Sequence, residues 1–189
     1  MKIVKFRLTG ECPLLMHSER GANPLDKEVQ AHKKLTSKRQ KTEEDFFDVA
    51  WSDYKLAIYY DPILGPYIPA QNIDRTFQEG AKKNKLGKKF ASSARCVNDK
   101  IALIYDGPKD VKSLYDEGFV DVRSVVVGQA RISRVRPMFR DWALEFDFAY
   151  DENQLDEDSV IMAATVGGQL IGLCDYRPRF GRFTTEVVK

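Results

Sequence analysis

Cations are the residues of this sequence whose type and spacing best suit them to chemistry. Lys82, Lys83, Lys85, Lys88 and Lys89 crowd one short stretch, and Lys82 to Lys100 holds seven bases against one acid. Arg131, Arg134 and Arg136 fall among five arginines between Arg123 and Arg140, and Arg177, Arg179 and Arg182 crowd another short stretch. Lys27 to Lys41 adds six bases against one acid, whereas Glu145 to Asp158 carries seven acids and no base. The net charge of +2 conceals this segregation, and partners are selected by the patches more than by the sum. Lysine and arginine clusters neutralise phosphates and release their counterions, which gives affinity independent of base sequence and steeply dependent on salt. Arg134 and Arg136 are two apart on an expected strand and therefore share a face, with Ser133 and Val135 on the other. A single charged run is more often a solvated face than a site. Three clusters flanking one helix end and one loop weaken that reading.

Other chemistries find less support. Cys12, Cys96 and Cys174 lie far apart and form no CxxC pair, so the expectation is reduced, buried thiols rather than a disulfide framework or zinc knuckle. Cys12 and His17 lack the local ligand pair of a zinc site. The acids of 151–158 lack the glycine and ligand spacing of an EF-hand and suit a helix cap. The run GGQLIG has no Gly-Lys-Ser/Thr ending and opens no helix after a strand, so it reads as neither a phosphate loop nor a dinucleotide fingerprint. Neither metal nor cofactor is expected.

The elements that must position these residues follow from the hydrophobic pattern. At 189 residues the chain can bury one substantial core, and length favours one domain over 1–189 with 10–41 as an insertion. Hydrophobic residues at 43% and charged residues at 31% suit a folded, soluble protein. No window has the apolar length of a membrane span, and MKIVKFRLTG lacks the apolar core of a signal peptide. A cytoplasmic location is the expectation. Residues 2–9 alternate as a strand; 10–41 is polar, with a short helix near 25–35 in which His32 is exposed. Thr42 and the three acids after it start a helix whose buried face is Phe46, Val49, Ala50 and Tyr54.

In LGPYIPAQNIDRTFQEGAKKNK, Pro66 and Pro69 enforce an extended entry, so a helix begins only after Ile68, with Pro69 in its first position. Ala70, Ile73, Phe77 and Ala81 form its apolar stripe. ARCVNDKIALIYDGP reads as a hairpin turning at Asn98 and Asp99, and VDVRSVVVGQARISRVRPMF as strand, glycine turn and strand. WALEFDFAY is a strand, LDEDSVIMAATVGG a helix ending at two glycines, and RFTTEVV a closing strand. Without the insertion and the extra hairpins, the order is that of an α+β, RRM-like or ferredoxin-like core.

Three of these segments together resemble the RAMP superfamily, the RRM-like RNA-binding proteins of CRISPR effector complexes, and most closely its backbone subunit that polymerises along guide RNA. FRLTGECPLLMHS is similar to the family's opening strand running into a loop. GPYIPAQNIDRTFQEGAK is similar to its Pro-Tyr-Ile-Pro turn and first core helix. VGGQLIGLCDYRPRFGRF resembles its glycine-rich loop, with Gly167, Gly168 and the Gly181-Arg182 step at matching places. The chain departs from the family in carrying Gln71, Asn72, Asp74 and Arg75 where small residues and a Lys-Gly step are frequent, and Arg179 where the loop usually has a glycine.

The resemblance implies a non-catalytic, oligomerising protein that holds single-stranded, crRNA-like RNA by its backbone within a ribonucleoprotein, with other effector subunits as further partners. Its setting would be antiviral defense, or a compact form carried by a phage or other mobile element. RNA contact is carried onto His17, onto Asn72 and Arg75 at the helix start, onto Lys82, Lys83, Lys85, Lys88 and Lys89, onto Arg131, Arg134 and Arg136, and onto Arg177, Arg179 and Arg182. Residues 10–41 resemble the family's projecting thumb. At its start Leu15, Met16 and His17 either stack on a base or form a buried strand end with a satisfied histidine. Some members cut RNA with an Asp in the thumb, which corresponds to Asp26; no second acid or histidine stands in register, and helix capping is the stronger reading. A metal-dependent RAMP-like endoribonuclease and a single-stranded DNA coating protein are the alternatives.

Overall fold

The computed structural model of the protein describes residues 1–188. Its elements in chain order are β1 (Lys2–Gly10), β2 (Leu14–Leu15), α1 (Lys27–Ser37), α2 (Glu43–Ala57), β3 (Tyr60–Asp61), β4 (Gly65–Pro69), α3 (Ala70–Lys83), α4 (Gly87–Ser93), β5 (Ala94–Cys96), β6 (Lys100–Ala102), α5 (Val111–Asp116), β7 (Val120–Val127), β8 (Ala130–Phe139), β9 (Ala143–Tyr150), α6 (Glu157–Val166) and β10 (Phe183–Val188). A π-turn, Gly167–Ile171, follows α6. The chain forms two compact units. Met1–Leu14, Tyr60–Asp106 and Phe139–Lys189 build the first; Leu15–Tyr59 and Gly107–Met138 build the second, so much of the expected 10–41 insertion belongs to the latter.

The first unit is a four-stranded antiparallel sheet, in the order β10-β1-β9-β5, with α3 and α6 packed together. The alternation read from β1 and β9 is the one observed. Val4, Phe6 and Leu8 are buried, as are Leu144, Phe146 and Phe148, and the register sets Phe6 opposite Phe146. On the other face Lys5 lies opposite Asp147, and Arg7 lies between Glu145 and Glu186, opposite-charge pairings that suit a solvated sheet surface. A smaller sheet, β3-β4-β6, carries the Pro-Tyr-Ile-Pro segment as β4.

Helix α3 starts where the prolines require. Pro69 is its capping residue rather than its first helical one, with extended backbone, so the helix begins one place later than expected, and the first helical N–H, from Ala70, is satisfied by the Asp99 carbonyl at 2.9 Å. The expected stripe is buried and joined by Thr76 and Gly80. Phe77 fills the core, its ring 5.6 Å from that of Phe6 and 5.1 Å from that of Phe148; full burial of such a side chain contributes about 1.5–3 kcal/mol. Gly80 is where α3 meets α6 backbone to backbone, since a Cβ there would lie 2.2 Å from the Ala163 oxygen.

Two expected connections differ in this unit. Strands β5 and β6 do not form a hairpin: β5 pairs with β9 and β6 with β4. Short strands are claimed by whichever long edge accepts their hydrogen bonds, which local pattern does not record. The two glycines follow the last residue of α6 as expected, with Gly167 its C-cap, but they do not release the chain from helical winding. Gly167 keeps right-handed helical dihedrals and the chain winds on through the π-turn to Gly172.

In the second unit α1 and α2 pack together, and β7 and β8 form the expected hairpin, closed by two residues with Gly128 at φ 61°. A positive φ there suits a tight turn matched to strand twist. Helix α2 begins with a reciprocal capping box between Thr42 and Asp45. Of the expected inner face Tyr54 is buried and Val49 and Ala50 are half-buried, but Phe46 is not, and polar residues join it. Asp45, Ser52, Asp53, Tyr54 and Leu56 are buried, whereas Phe46 and Phe47 are 60% and 65% exposed. Polar residues with tertiary partners occupy positions that a hydrophobic pattern assigns to solvent. The Trp51 and Tyr54 rings stack and Tyr115 meets both edge-on, and the Lys112 ammonium lies 5.4 Å from the Trp51 ring centre.

Gly80→Ala is expected to destabilise the protein by about 1–3 kcal/mol through overpacking. The reading is a lower urea midpoint with an unchanged slope; an unchanged midpoint would contradict the close approach of α3 and α6.

Candidate nucleic-acid interface

The C-terminal end of α3 carries exposed cations because the chain reverses there at once. Lys82 and Lys83 occupy the last turn, Lys85 takes a left-handed φ of 63° and donates its N–H to the Lys82 carbonyl at 3.0 Å, and α4 begins at Gly87. Lys82, Lys83, Lys85, Lys88 and Lys89 are all exposed. Lys82, Lys85 and Lys88 line one open depression together with Gln78 and Gly87. The Lys82 stem lies against Gly87, where a Cβ would approach its Cγ to 2.3 Å, so the ammonium reaches outward over its own methylene chain.

Along α3 the other predicted residues meet the loop of 172–182. Thr76 donates to the Gly172 carbonyl at 3.0 Å, and Asn72 donates to the Cys174 sulfur at 3.5 Å. Burial pushes the Cys174 thiol up to about 12, so it remains a neutral acceptor. Glu79 accepts from Arg75 Nε at 2.5 Å and lies 3.9 Å from Arg177; Arg75, followed by the nearby Arg177, holds its carboxyl below the usual range. Part of the charge of Arg75 and Arg177 is thereby spent within the protein. Arg179 and Arg182 are exposed and border a depression shared with Pro13, Leu170 and Phe180. The Leu173 N–H donates to the Gly181 carbonyl at 2.8 Å and the Gly181 N–H donates to the Pro13 carbonyl at 2.9 Å, which holds the loop.

Asp74, the acid inside the Pro-Tyr-Ile-Pro segment, points inward. Its Oδ1 accepts the Cys96 N–H at 2.8 Å, tying α3 to β5, and burial raises its pKa against that hydrogen bond. Burial likewise drives the Cys96 thiol far up, with Asp74 adding to the effect. All three cysteines are free thiols.

The second unit holds the remaining predicted residues. Arg131 is exposed and reaches Ser124 Oγ at 3.4 Å. Arg134 donates to Asp53 at 2.8 Å, and Arg136 is only 8% exposed, so it is not a surface contact as expected. His17 is exposed, with its carbonyl accepting from the Tyr59 hydroxyl at 3.2 Å, whereas Leu15 and Met16 are fully buried and unable to wedge against a base. The strand end of PLLMH is buried through Met16, whereas the histidine at its close stays exposed. Asp26 caps α1, accepting the Glu28 N–H at 2.8 Å and Arg20 Nε at 2.7 Å, with Arg20 the main cause of its lowered pKa.

His32 was legible only as an exposed helical residue, and it is not one. Its side chain is 13% exposed, with Nδ1 3.0 Å from Ser52 Oγ and Nε2 3.4 Å from Asp53. Burial lowers its pKa, Asp53 opposes that shift and Arg134 reinforces it. His17, His32, Asp53, Arg134 and Arg136 line one cavity of about 190 Å³. No spacing rule connects positions 32, 53 and 134, so sequence periodicity carried no signal for this group.

No protein-family model matches the chain, and no curated protein matches it. The fold defines a mixed α+β protein with antiparallel sheets, and among the described residues no helix is long and apolar enough to cross a membrane.

In the unfolded chain His32 titrates near its ordinary 6.5, and in the folded protein below it. Between those values the unfolded state binds the additional proton, so His32 contributes stability above the unfolded value that is lost as pH falls through the folded one. The urea midpoint should therefore fall more steeply for the wild-type protein than for His32→Gln between about pH 7 and 5.5. Parallel profiles would contradict this assignment.

Proposed function

We propose that this protein binds single-stranded RNA through the phosphate backbone, without regard to base sequence, as a non-catalytic, oligomerising subunit similar to the guide-RNA-binding backbone subunit of the RAMP superfamily. The observation that carries the reading is the cluster of exposed lysines at the junction of α3 and α4, with Lys82, Lys85 and Lys88 around one depression. It lies in the same unit as the split sheet and the arginine loop. A reading of that unit's core as RRM-like or ferredoxin-like is supported by the chain order β1, α3, β5, β9, α6 and β10, other elements intervening, and by the sheet order β10-β1-β9-β5.

The mode of binding differs from that of an RRM that stacks bases on its sheet. The open face carries Lys5, Arg7, Glu145, Asp147 and Glu186 in register, a mixed-charge surface without the aromatic platform such stacking needs. Affinity therefore comes from the lysines and from Arg179 and Arg182, which supply charge and guanidinium donors to phosphate oxygens. Growth along the RNA by successive copies, and assembly with other effector subunits, rest on the family resemblance.

The test is fluorescence polarisation with a labelled single-stranded RNA and a matched single-stranded DNA between about 50 and 200 mM salt. RNA binding should weaken steeply over that range. The Lys82→Ala/Lys85→Ala/Lys88→Ala variant should lower the slope of log affinity against log salt by about 2, at about 0.7 per contact on a single strand. A stronger response to DNA would move the reading to a DNA-coating protein, and absence of binding to both polymers at low salt would remove it. Metal-dependent shortening of the RNA lost on Asp26→Ala would instead support the endoribonuclease.

A further inference from the structure

Strand β7 is the outermost strand of its sheet, whose order is β2-β8-β7. The ladder shows which of its backbone groups that leaves at the edge. The Met138 N–H donates to the Phe119 carbonyl at 3.0 Å, one step before the pairing of Val120 with Pro137. Successive residues of an antiparallel strand bond alternately to one side and to the other. Asp121, Arg123 and Val125 therefore bond to β8, and the N–H and C=O groups of Val122, Ser124 and Val126 are directed toward the open edge. Pro137, which has no N–H, falls at a non-bonded place in the ladder, as this phase requires.

The side chains divide in the same way. Val122 and Val126 are each 65% exposed, with Ser124 exposed between them, whereas Asp121, Arg123 and Val125 on the opposite face are half-buried. Arg123 donates to Asp121, so the charges of the strand are turned from its exposed face and engaged with each other. Soluble proteins shield their edge strands with lysine, proline or short length. Strand β7 runs eight residues, VDVRSVVV, with neither lysine nor proline, and β-branched residues favour strand pairing.

We infer that β7 is an interface for a second copy of this chain, which adds its own β7 antiparallel about a twofold axis at Ser124. Two symmetric registers engage the strand nearly end to end. Centring on Arg123 sets it directly against the partner's Arg123, a like-charge pair that opposes association. Centring on Ser124 sets Val122 against the partner's Val126, Val126 against the partner's Val122, and the two serine hydroxyls within reach of each other, all of which favour pairing. Outward backbone groups then meet outward groups, and the three pairs supply about six hydrogen bonds. The edge is thus complementary to itself in backbone phase, side-chain size and charge. A twofold contact uses the same patch on both copies and closes on itself, so it yields a dimer and differs from the growth of successive copies along RNA. It does not rest on the RNA-binding reading of the first unit.

The test is sedimentation velocity of the full chain, freed of nucleic acid by nuclease and high salt, between about 1 and 100 µM. The expected result is a monomer that passes to a dimer as concentration rises. Val122→Lys/Val126→Lys places like charges opposite each other only in the dimer and should weaken association about tenfold or more. Val122→Lys/Val126→Glu places opposite charges at the same positions and should restore it. Oxidised Ser124→Cys should form a reducible covalent dimer, because directly bonded pairs hold their Cα atoms about 5.5 Å apart, within disulfide reach; the wild-type chain, whose thiols are free, is the control. The Tm of each variant at low concentration separates lost association from lost folding. A wild-type chain that stays monomeric throughout overturns the proposal and leaves the edge to a foreign strand. Equal association of the two charge variants, or no cross-link through Ser124→Cys, overturns it as well. Salt-dependent RNA binding by a chain that stays monomeric leaves the backbone-binding reading standing.

Discussion

The seat of Phe77 is the constraint on which the first unit depends. Its ring lies among Phe6, Phe146 and Phe148, within 5.1–6.2 Å of each, and so fixes α3 on the sheet in both translation and rotation. Close packing allows little adjustment at such a position. With Phe77 inward, Thr76 and Asn72 necessarily meet the 172–182 loop, Asp74 necessarily meets the Cys96 N–H, and the last turn delivers Lys82 and Lys83 to solvent. Gly80 permits the same helix to touch the α6 backbone. Cation placement at the candidate interface is thus a consequence of aromatic packing one helix diameter away.

The second unit is organised around charge instead. Asp53 stands on the inner face of α2 with Arg134 and His32 as partners, and an acid so placed is tolerated only when donors replace the water it gives up. The result is a polar interior beside Leu56 and Val135, rather than an apolar core alone. On the same helix Tyr54, Leu56 and Ala57 are buried, while Phe46 and Phe47 are left outside. The two units therefore present different chemistry: exposed lysines over an aromatic core in the first, and inward-turned arginines in the second.

Sequence legibility tracked the range of the interaction responsible. The alternation of β1 and β9, the hairpin of β7 and β8, the proline-determined start of α3 and the acidic starts of α2 and α6 are local rules, and each is found in the structure. Ala70, Ile73, Phe77 and Ala81 were readable as one stripe because a helix repeats its face every three to four residues. The partners of β5 and β6 were not readable, because a three-residue strand has too little pattern to choose an edge. Nor was the burial of Arg136, since an arginine two places from another looks identical in sequence whether the shared face meets solvent or a cavity.

By itself the sequence determined where the strongly patterned elements lie, among them β1, α2, α3, the hairpin of β7 and β8, β9 and α6, which residues carry charge, and that the cations are clustered. Those properties reside in short stretches: proline geometry, capping chemistry and periodicity act over a few residues. Only the tertiary structure decided which clusters are usable. It left Lys82, Lys85 and Lys88 open to solvent, set Arg75 and Arg177 beside Glu79, and turned Arg134 and Arg136 toward Asp53 and His32. The reason is physical: whether a charge is exposed, neutralised or buried depends on partners distant along the chain, and those are chosen by packing rather than by spacing.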